Sequence, residues 1–127
     1  AYDISLLLEF RRVLFRSNPH KGSWHLPGNI IRKNETKRQA VKRAAKNELN
    51  LNVKIKKYVG VYENLNSFRH DVSHGFIVSP ISGKIKTDFQ SEELKFFKKI
   101  PKNTVPHHKK MIKDVFNKFK KKLEITR

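Results

Sequence analysis

Three side chains able to do chemistry stand about one helical turn apart near the middle of the chain: Arg43, Asn47 and Glu48. Residues three to five apart on a helix project close together. A carboxylate such as Glu48 offers oxygen to a hard divalent cation. The planar guanidinium of Arg43 suits a phosphate or another carboxylate, and pairing with Glu35 would brace the preceding loop against the helix. Lys42 and Lys46 lie on the outer helix face and read as solvated. The stretch that positions these groups is Ser23 to Leu51, SWHLPGNIIRKNETKRQAVKRAAKNELNL. It predicts a strand end, a Pro-Gly turn, an extended arm, a second turn at Lys33-Asn34 and a helix capped by Thr36. No Gly or Pro interrupts the chain from Thr36 to Leu49, and Ala40, Val41, Ala44, Ala45 and Leu49 recur at helical spacing.

This stretch resembles the box of the Nudix hydrolase superfamily, GX5EX7REUXEEXGU, where U is a bulky aliphatic residue. Asn29 takes the first glycine, Glu35 the first Glu, Arg43 the Arg, Ala44 the next Glu and Ala45 the U. Asn47 and Glu48 take the EE pair, Asn50 the second glycine and Leu51 the last U. The resemblance extends over residues 13 to 115. It implies an α/β fold: an α/β/α sandwich around a mixed β-sheet, the box loop-helix at about 28–50 and a C-terminal amphipathic helix. It further implies a box helix whose carboxylates hold Mg²⁺, with Mn²⁺ as the alternative, against a diphosphate. Ala44 and Asn47 remove two of the three acids, which leaves Glu48.

Arg43 to Leu49 is similar to the reduced box of the GDP-mannose mannosyl hydrolase subgroup, as is Gly60-Val61-Tyr62-Glu63. In that subgroup a Gln-His pair supplies a metal ligand and the general base. Gln90 matches the Gln, but Ser91 stands at the His position, so Glu92 or Glu93, with His70 and His74 as the other candidates, could take the proton. The resemblance therefore implies a metal shell of Glu48, the backbone carbonyl near Gly28, and Gln90. It gives Arg16 and Arg43 toward substrate and Glu35 with Arg43 as a structural brace. One carboxylate suits one cation completed by substrate phosphates, not two or three.

The composition sets outer bounds. The chain has 127 residues, no Cys and a formal net charge of +18. One domain spanning 1–127 is expected, with no disulfide or thiolate chemistry. No apolar run approaches the roughly 18 residues of a membrane span, so the expectation is a cytoplasmic protein without membrane contact. Residues 98 to 127 carry 11 Lys or Arg against 2 acids, and the cluster Lys118–Lys122 opens a basic tail at 118–127. Such charge attracts polyanions, so nucleic acid is a partner to test beside the nucleotide substrate; a homodimer is compatible with both. The run Leu6–Ser17, LLLEFRRVLFRS, resembles translated adapter sequence, so residues 1–17 are expected to be partly non-native or truncated.

Elsewhere, Val53–Ile55 and Tyr58–Tyr62 read as one or two strands, Glu63–Asp71 as a polar turn and Val72–Ser79 as a strand. Pro80–Gly83 reads as a turn and Lys84–Lys86 as a short extended piece. A final helix over His107–Leu123 carries the apolar stripe Met111, Ile112, Val115, Phe116, Phe119, Leu123. His107 and His108 diverge by about 100° on that helix and make a poor metal pair. Trp24 reads as a core or rim aromatic.

The leading expectation is a one-metal hydrolase of nucleoside diphosphate sugars, with water attacking the sugar carbon and GDP leaving. A pyrophosphatase acting on another nucleoside diphosphate derivative comes next. A catalytically silent nucleotide- or RNA-binding module and an RNA-associated hydrolase follow.

Overall fold

The computed structural model describes residues 2–8, 13–18, 22–65, 70–85, 94–97 and 99–126. The residues Gln90, Ser91, Glu92 and Glu93 lie outside them, as do the side chains of Phe119, Leu123 and the Lys118–Lys122 cluster. Among the described residues seven strands and two helices run in the order β1 (Tyr2–Leu8), β2 (Val13–Asn18), β3 (Ser23–His25), β4 (Gly28–Ile30), α1 (Lys37–Leu49), β5 (Leu51–Leu65), β6 (His70–Gly83), β7 (Leu94–Phe97), α2 (Pro106–Thr126). Among the described residues no helix is long and apolar enough to cross a membrane.

A four-stranded mixed sheet has the order β4-β1-β6-β5, and a three-stranded one the order β3-β2-β7. The only parallel ladder among the described strands joins β1 to β6, Tyr2 opposite Val72 through Leu8 opposite Val78. Alternation along β1 splits the interior into two cores. Ile4, Leu6 and Leu8 pack with Ala40, Val41, Ala44, Ala45 and Leu49 of α1. Leu7 packs with Phe15, Leu26, Ile77 and with Met111, Ile112 and Val115 of α2. The result is an α/β/α sandwich. Each fully buried Leu, Ile or Val contributes roughly 1.5–3 kcal/mol. The adapter-like run supplies Leu6, Leu7, Leu8, Leu14 and Phe15 to these cores.

Helix α1 begins as its sequence anticipates. Thr36 Oγ1 accepts from Gln39 N–H at 3.1 Å, and Gln39 Oε1 accepts from Thr36 N–H at 2.9 Å, a reciprocal capping box. It ends at Asn50 with φ 56°, whose N–H reaches the Ala45 and Lys46 carbonyls.

Of the one or two strands expected over Val53–Ile55 and Tyr58–Tyr62 the structure has one, and three other expectations are corrected. β5 is one strand of 15 residues, kinked by register shifts at Val53, between Ile55 and Lys57, and between Tyr58 and Gly60. Those shifts break the two-residue alternation that marks a strand in sequence. Glu63–Leu65 and His70–Asp71 are strand where a turn is expected, because β5 runs to Leu65 and β6 starts at His70. β6 continues through Pro80 to Gly83 in place of a turn, since beyond Val78 it has lost β1 and a missing N–H is tolerated there. Lys84 and Ile85 follow β6 outside any strand, and Lys86 lies outside the described residues. On α2, Phe116 is 39% exposed, because the buried set His108, Met111, Ile112 and Val115 centres the stripe one rim away from it.

Candidate active site on the box helix

Glu35 and Arg43 lock the arm before α1 to the helix. Arg43 Nε donates to Glu35 Oε2 at 2.7 Å and Nη2 to Oε1 at 2.9 Å. Nη2 also reaches the Ile30 carbonyl at 2.8 Å, while Arg32 N–H donates to Glu35 Oε1 at 3.0 Å. Asn34, at φ 63°, makes the turn between them. The position of Ile30, and with it Asn29 and Gly28, is thus set from the helix. The hydrogen bonds of Arg43 and Arg32 hold the Glu35 carboxyl down at about 2, against an ordinary value of 4.5. A carboxyl more acidic in the folded chain stabilises the fold fully above 4.5, and that contribution is lost as pH falls toward 2. Wild type should therefore lose more thermal stability between pH 4.5 and 2 than Glu35→Gln, as followed by circular dichroism melts. Parallel curves for the two proteins would contradict this.

Glu48, 12 positions beyond Thr36 on α1, faces inward to a different pair. Its Oε2 is ion-paired with Arg16 Nη1 of β2, and its Oε1 accepts from Asn29 Nδ2 at 3.2 Å. Asn29 is itself oriented by the Ile30 N–H, which donates to its Oδ1 at 2.8 Å. Arg16 is only 6% exposed, and it lies across from His25 on one side and Leu94 on the other. It points at Glu48, inside the protein, where the resemblance implies a substrate-facing cation. Ala44, one turn earlier, puts its methyl in the core. Asn47 is exposed.

The side chains present set what this cluster can hold. Among the described residues no three His, Cys, Asp or Glu side chains converge. Glu48 is a lone carboxylate, one of whose oxygens meets only a 3.2 Å amide contact. That donor set fits a single hard cation completed by water and substrate oxygen, and it does not fit a cluster of two or three.

The remaining residues fall elsewhere. His70 starts β6 opposite Leu65 and lies 3.4 Å from Glu63. Gly28 is level with Ser5 and Gly75, five residues further along the sheet, or about 16 Å at ~3.3 Å per residue. His74 is buried and bonded to Tyr58 Oη at 2.8 Å; burial, then Lys37, lowers its pKa. Trp24 packs edge-on to Phe97 at 4.9 Å. The sequence reading missed His108. Its Nδ1 accepts from Leu26 N–H at 3.0 Å, so neutral imidazole carries its proton on Nε2, 3.0 Å from Ser5 Oγ, which is 2.7 Å from Ser73 Oγ. Burial pushes its pKa well below the usual range. This network floors a recess of about 170 Å³ bordered by Asp3, His25, Gly28 and Asn29. The signal was available: 108, 111, 112 and 115 share one helical face.

A mixed sheet between two helices, with a loop-helix carrying Glu35, Arg43 and Glu48, defines a Nudix-type domain. Residues 5–118 match the sequence model of the NUDIX domain, and the chain belongs to that family. It is 36% identical over 103 residues to an ADP-ribose pyrophosphatase of Methanocaldococcus jannaschii, covering 78% of this chain and 60% of that protein. It is 32% identical over 92 residues to the low-salt glycan biosynthesis protein Agl8 of Haloferax volcanii, covering 65% of this chain and 59% of that protein. The chain thus spans about three fifths of the length of these curated relatives. The crystal structure of a MutT NUDIX hydrolase from Burkholderia pseudomallei superposes with TM-score 0.81 at 18% identity, covering 90% of this chain and 96% of that one.

Proposed function

We propose that this chain hydrolyses nucleoside diphosphate-linked sugars with one divalent cation, Mg²⁺ or in its place Mn²⁺, held at Glu48. The observation that carries the reading is the Glu48 cluster: a single carboxylate on the box helix, clasped by Asn29 and Arg16 beside Gly28. Glu48 and the Gly28 carbonyl would hold the ion, with Gln90 as the third protein ligand. When bound, it supplies neutralisation of the charge that builds on the leaving diphosphate oxygen. Arg16 is the counter-charge of Glu48, and the Glu35–Arg43 brace fixes the Gly28–Ile30 arm. Leu94 lies opposite Arg16, so the chain enters β7 beside this cluster. Glu92 or Glu93 is the proposed acceptor of the water proton, with His70, five residues along the sheet from the level of Gly28, as the alternative.

Two bonds compete for the water. A one-carboxylate site suits departure of the intact diphosphate from the sugar carbon, as in a GDP-mannose-type reaction. The relative named ADP-ribose pyrophosphatase favours a cut between the phosphates. Phosphorus NMR of turnover with GDP-mannose, GDP-glucose and ADP-ribose in Mg²⁺ separates them. Nucleoside diphosphate plus free sugar is the expected product. Nucleoside monophosphate plus sugar phosphate would assign the second bond, and Asn47→Glu, which adds an acid next to Glu48 in the box, would then raise the rate. No turnover on any of these, with retained nucleotide or RNA affinity, would replace the hydrolase by a binding module.

A further inference from the structure

Helix α1 covers one face of the four-stranded sheet only in part. It packs on Ile4, Leu6, Phe76 and Val78. It begins at Lys37, whose Nζ stands 5.6 Å from the centre of the Tyr58 ring. Beyond that end the same face leaves Tyr2, Tyr58, Val61 and Leu65 open to solvent, with Tyr2 63% and Tyr58 44% exposed. Tyr58 packs against Phe76 at 5.1 Å and against His74 at 5.9 Å, and Tyr2 packs against His74 at 6.5 Å. Val61 lies directly opposite His74, and Leu65 opposite His70. Residues directly opposite in an antiparallel pair share a face. Open apolar patches of this kind mark interaction sites.

The rings form a preset shelf. The Tyr2 and Tyr58 planes lie at 20° and 34° to that of His74. Tyr58 Oη is bonded to His74 Nδ1 at 2.8 Å, which holds the tyrosine ring in place. Little side-chain order is lost when a flat ligand stacks on a ring already held. The rim of the shelf is cationic. The arm that leaves the Tyr2 carbonyl, and the first turn of α1, carry Arg32, Lys33, Lys37 and Arg38, all exposed. The one acid among them, Glu35, is paired with Arg43. On the shelf itself Glu63 has His70 at 3.4 Å.

Open aromatic faces beside fixed cations are the two parts of single-strand recognition: bases stack on the rings, and the cations follow the phosphates. An acidic peptide would use the cations and leave the rings idle. A duplex hides its base faces inside the stack. Unpaired bases are ordinary in RNA loops and ends. We propose that single-stranded RNA binds across this shelf, with bases stacked on Tyr2 and Tyr58 and phosphates against Lys37 and the basic rim. The shelf belongs to β1, β6 and β5, whereas Glu48 is held by Asn29 of β4 and Arg16 of β2. The inference thus goes beyond the hydrolase reading and does not rest on it.

The test is fluorescence anisotropy of a labelled oligouridylate about ten nucleotides long, titrated with the full chain at salt concentrations between about 0.05 and 0.2 M. Tyr2→Ala and Tyr58→Ala leave the net charge at +18. Each should weaken binding about tenfold or more, the loss of one stacked base. Tyr58→Phe keeps the ring and should bind within about twofold of wild type. Lys37→Gln should flatten the plot of log affinity against log salt by about 0.7, the share of one phosphate contact. Lys110→Gln removes the same charge from α2, which packs on the opposite face of the sheet, and should leave that slope unchanged. Circular dichroism melts check folding; Tyr2, the more exposed ring, carries the test alone if Tyr58→Ala does not fold. Unchanged affinity in the alanine variants overturns the proposal. So does equal affinity for an adenylate–uridylate duplex of the same length, which would reduce the attraction to charge alone. Displacement of the RNA by excess GDP-mannose would place it at the Glu48 cluster and likewise overturn the shelf.

Discussion

Glu48→Gln should lower kcat by about 10²–10³-fold, the range for removal of a group that stabilises charge in the transition state. The side chain keeps its length and its contact to Asn29, but it loses the charge that would hold the cation. It also loses the counter-charge of Arg16, which is 6% exposed. Breaking a buried ion pair from one side costs roughly 3–5 kcal/mol, and Glu48, with 18% of its side chain exposed, belongs at the lower end. The two effects separate in the double variant Arg16→Met with Glu48→Gln. Removing both charges leaves no uncompensated ion, so stability should recover toward wild type while turnover stays lost. Thermal melts and phosphorus NMR rates measure the two independently. Turnover of Glu48→Gln within threefold of wild type would remove Glu48 from the mechanism. Failure of the double variant to recover stability would mean that the Arg16 contact is not what the carboxylate stabilises.

How far the sequence shows these features depends on the range of the interactions involved. Helix α1 was readable because its determinants are local: the Thr36 cap, the left-handed Asn34 and the five apolar positions, all of which are buried. The Arg16–Glu48 pair spans 32 residues and joins a strand to a helix, so no periodicity announces it. Around Arg16, Leu14 and Phe15 are buried as well, so β2 lacks the alternation that would show which way Arg16 points. The parallel ladder of β1 with β6 joins segments about 70 residues apart, and the extent of β5 hid behind its register shifts. His108 is the opposite case. Its helical spacing with Met111, Ile112 and Val115 put it on the buried face, and the recess it floors adjoins Gly28 and Asn29.

Gly28→Ala should lower stability by about 3 kcal/mol, the upper part of the range for overpacking. A Cβ at Gly28 would overlap the Ile4 carbonyl oxygen and stand 3.1 Å from the Ile4 carbonyl carbon and 3.2 Å from Ser5 Cα. All three are backbone atoms of β1. That strand cannot retreat, because it is paired to β6 over seven residues on its other side. β4 must therefore move away from β1, breaking the register of Gly28 with Ser5. Asn29 moves with it and releases Glu48 Oε1, so cation affinity should fall together with the melting temperature. For a domain of this size the loss corresponds to a drop of roughly 6–15 °C. Two other glycines calibrate the claim. Gly75→Ala meets the Met111 thioether, which can swing aside, and should cost less. Gly22→Ala meets no atom within 4 Å, and its φ of 60° alone limits the cost to about 1 kcal/mol. The expected order of melting temperatures is wild type, Gly22→Ala, Gly75→Ala, Gly28→Ala. If Gly28→Ala melts with Gly22→Ala, the close approach of β4 to β1 is not what holds the arm in place.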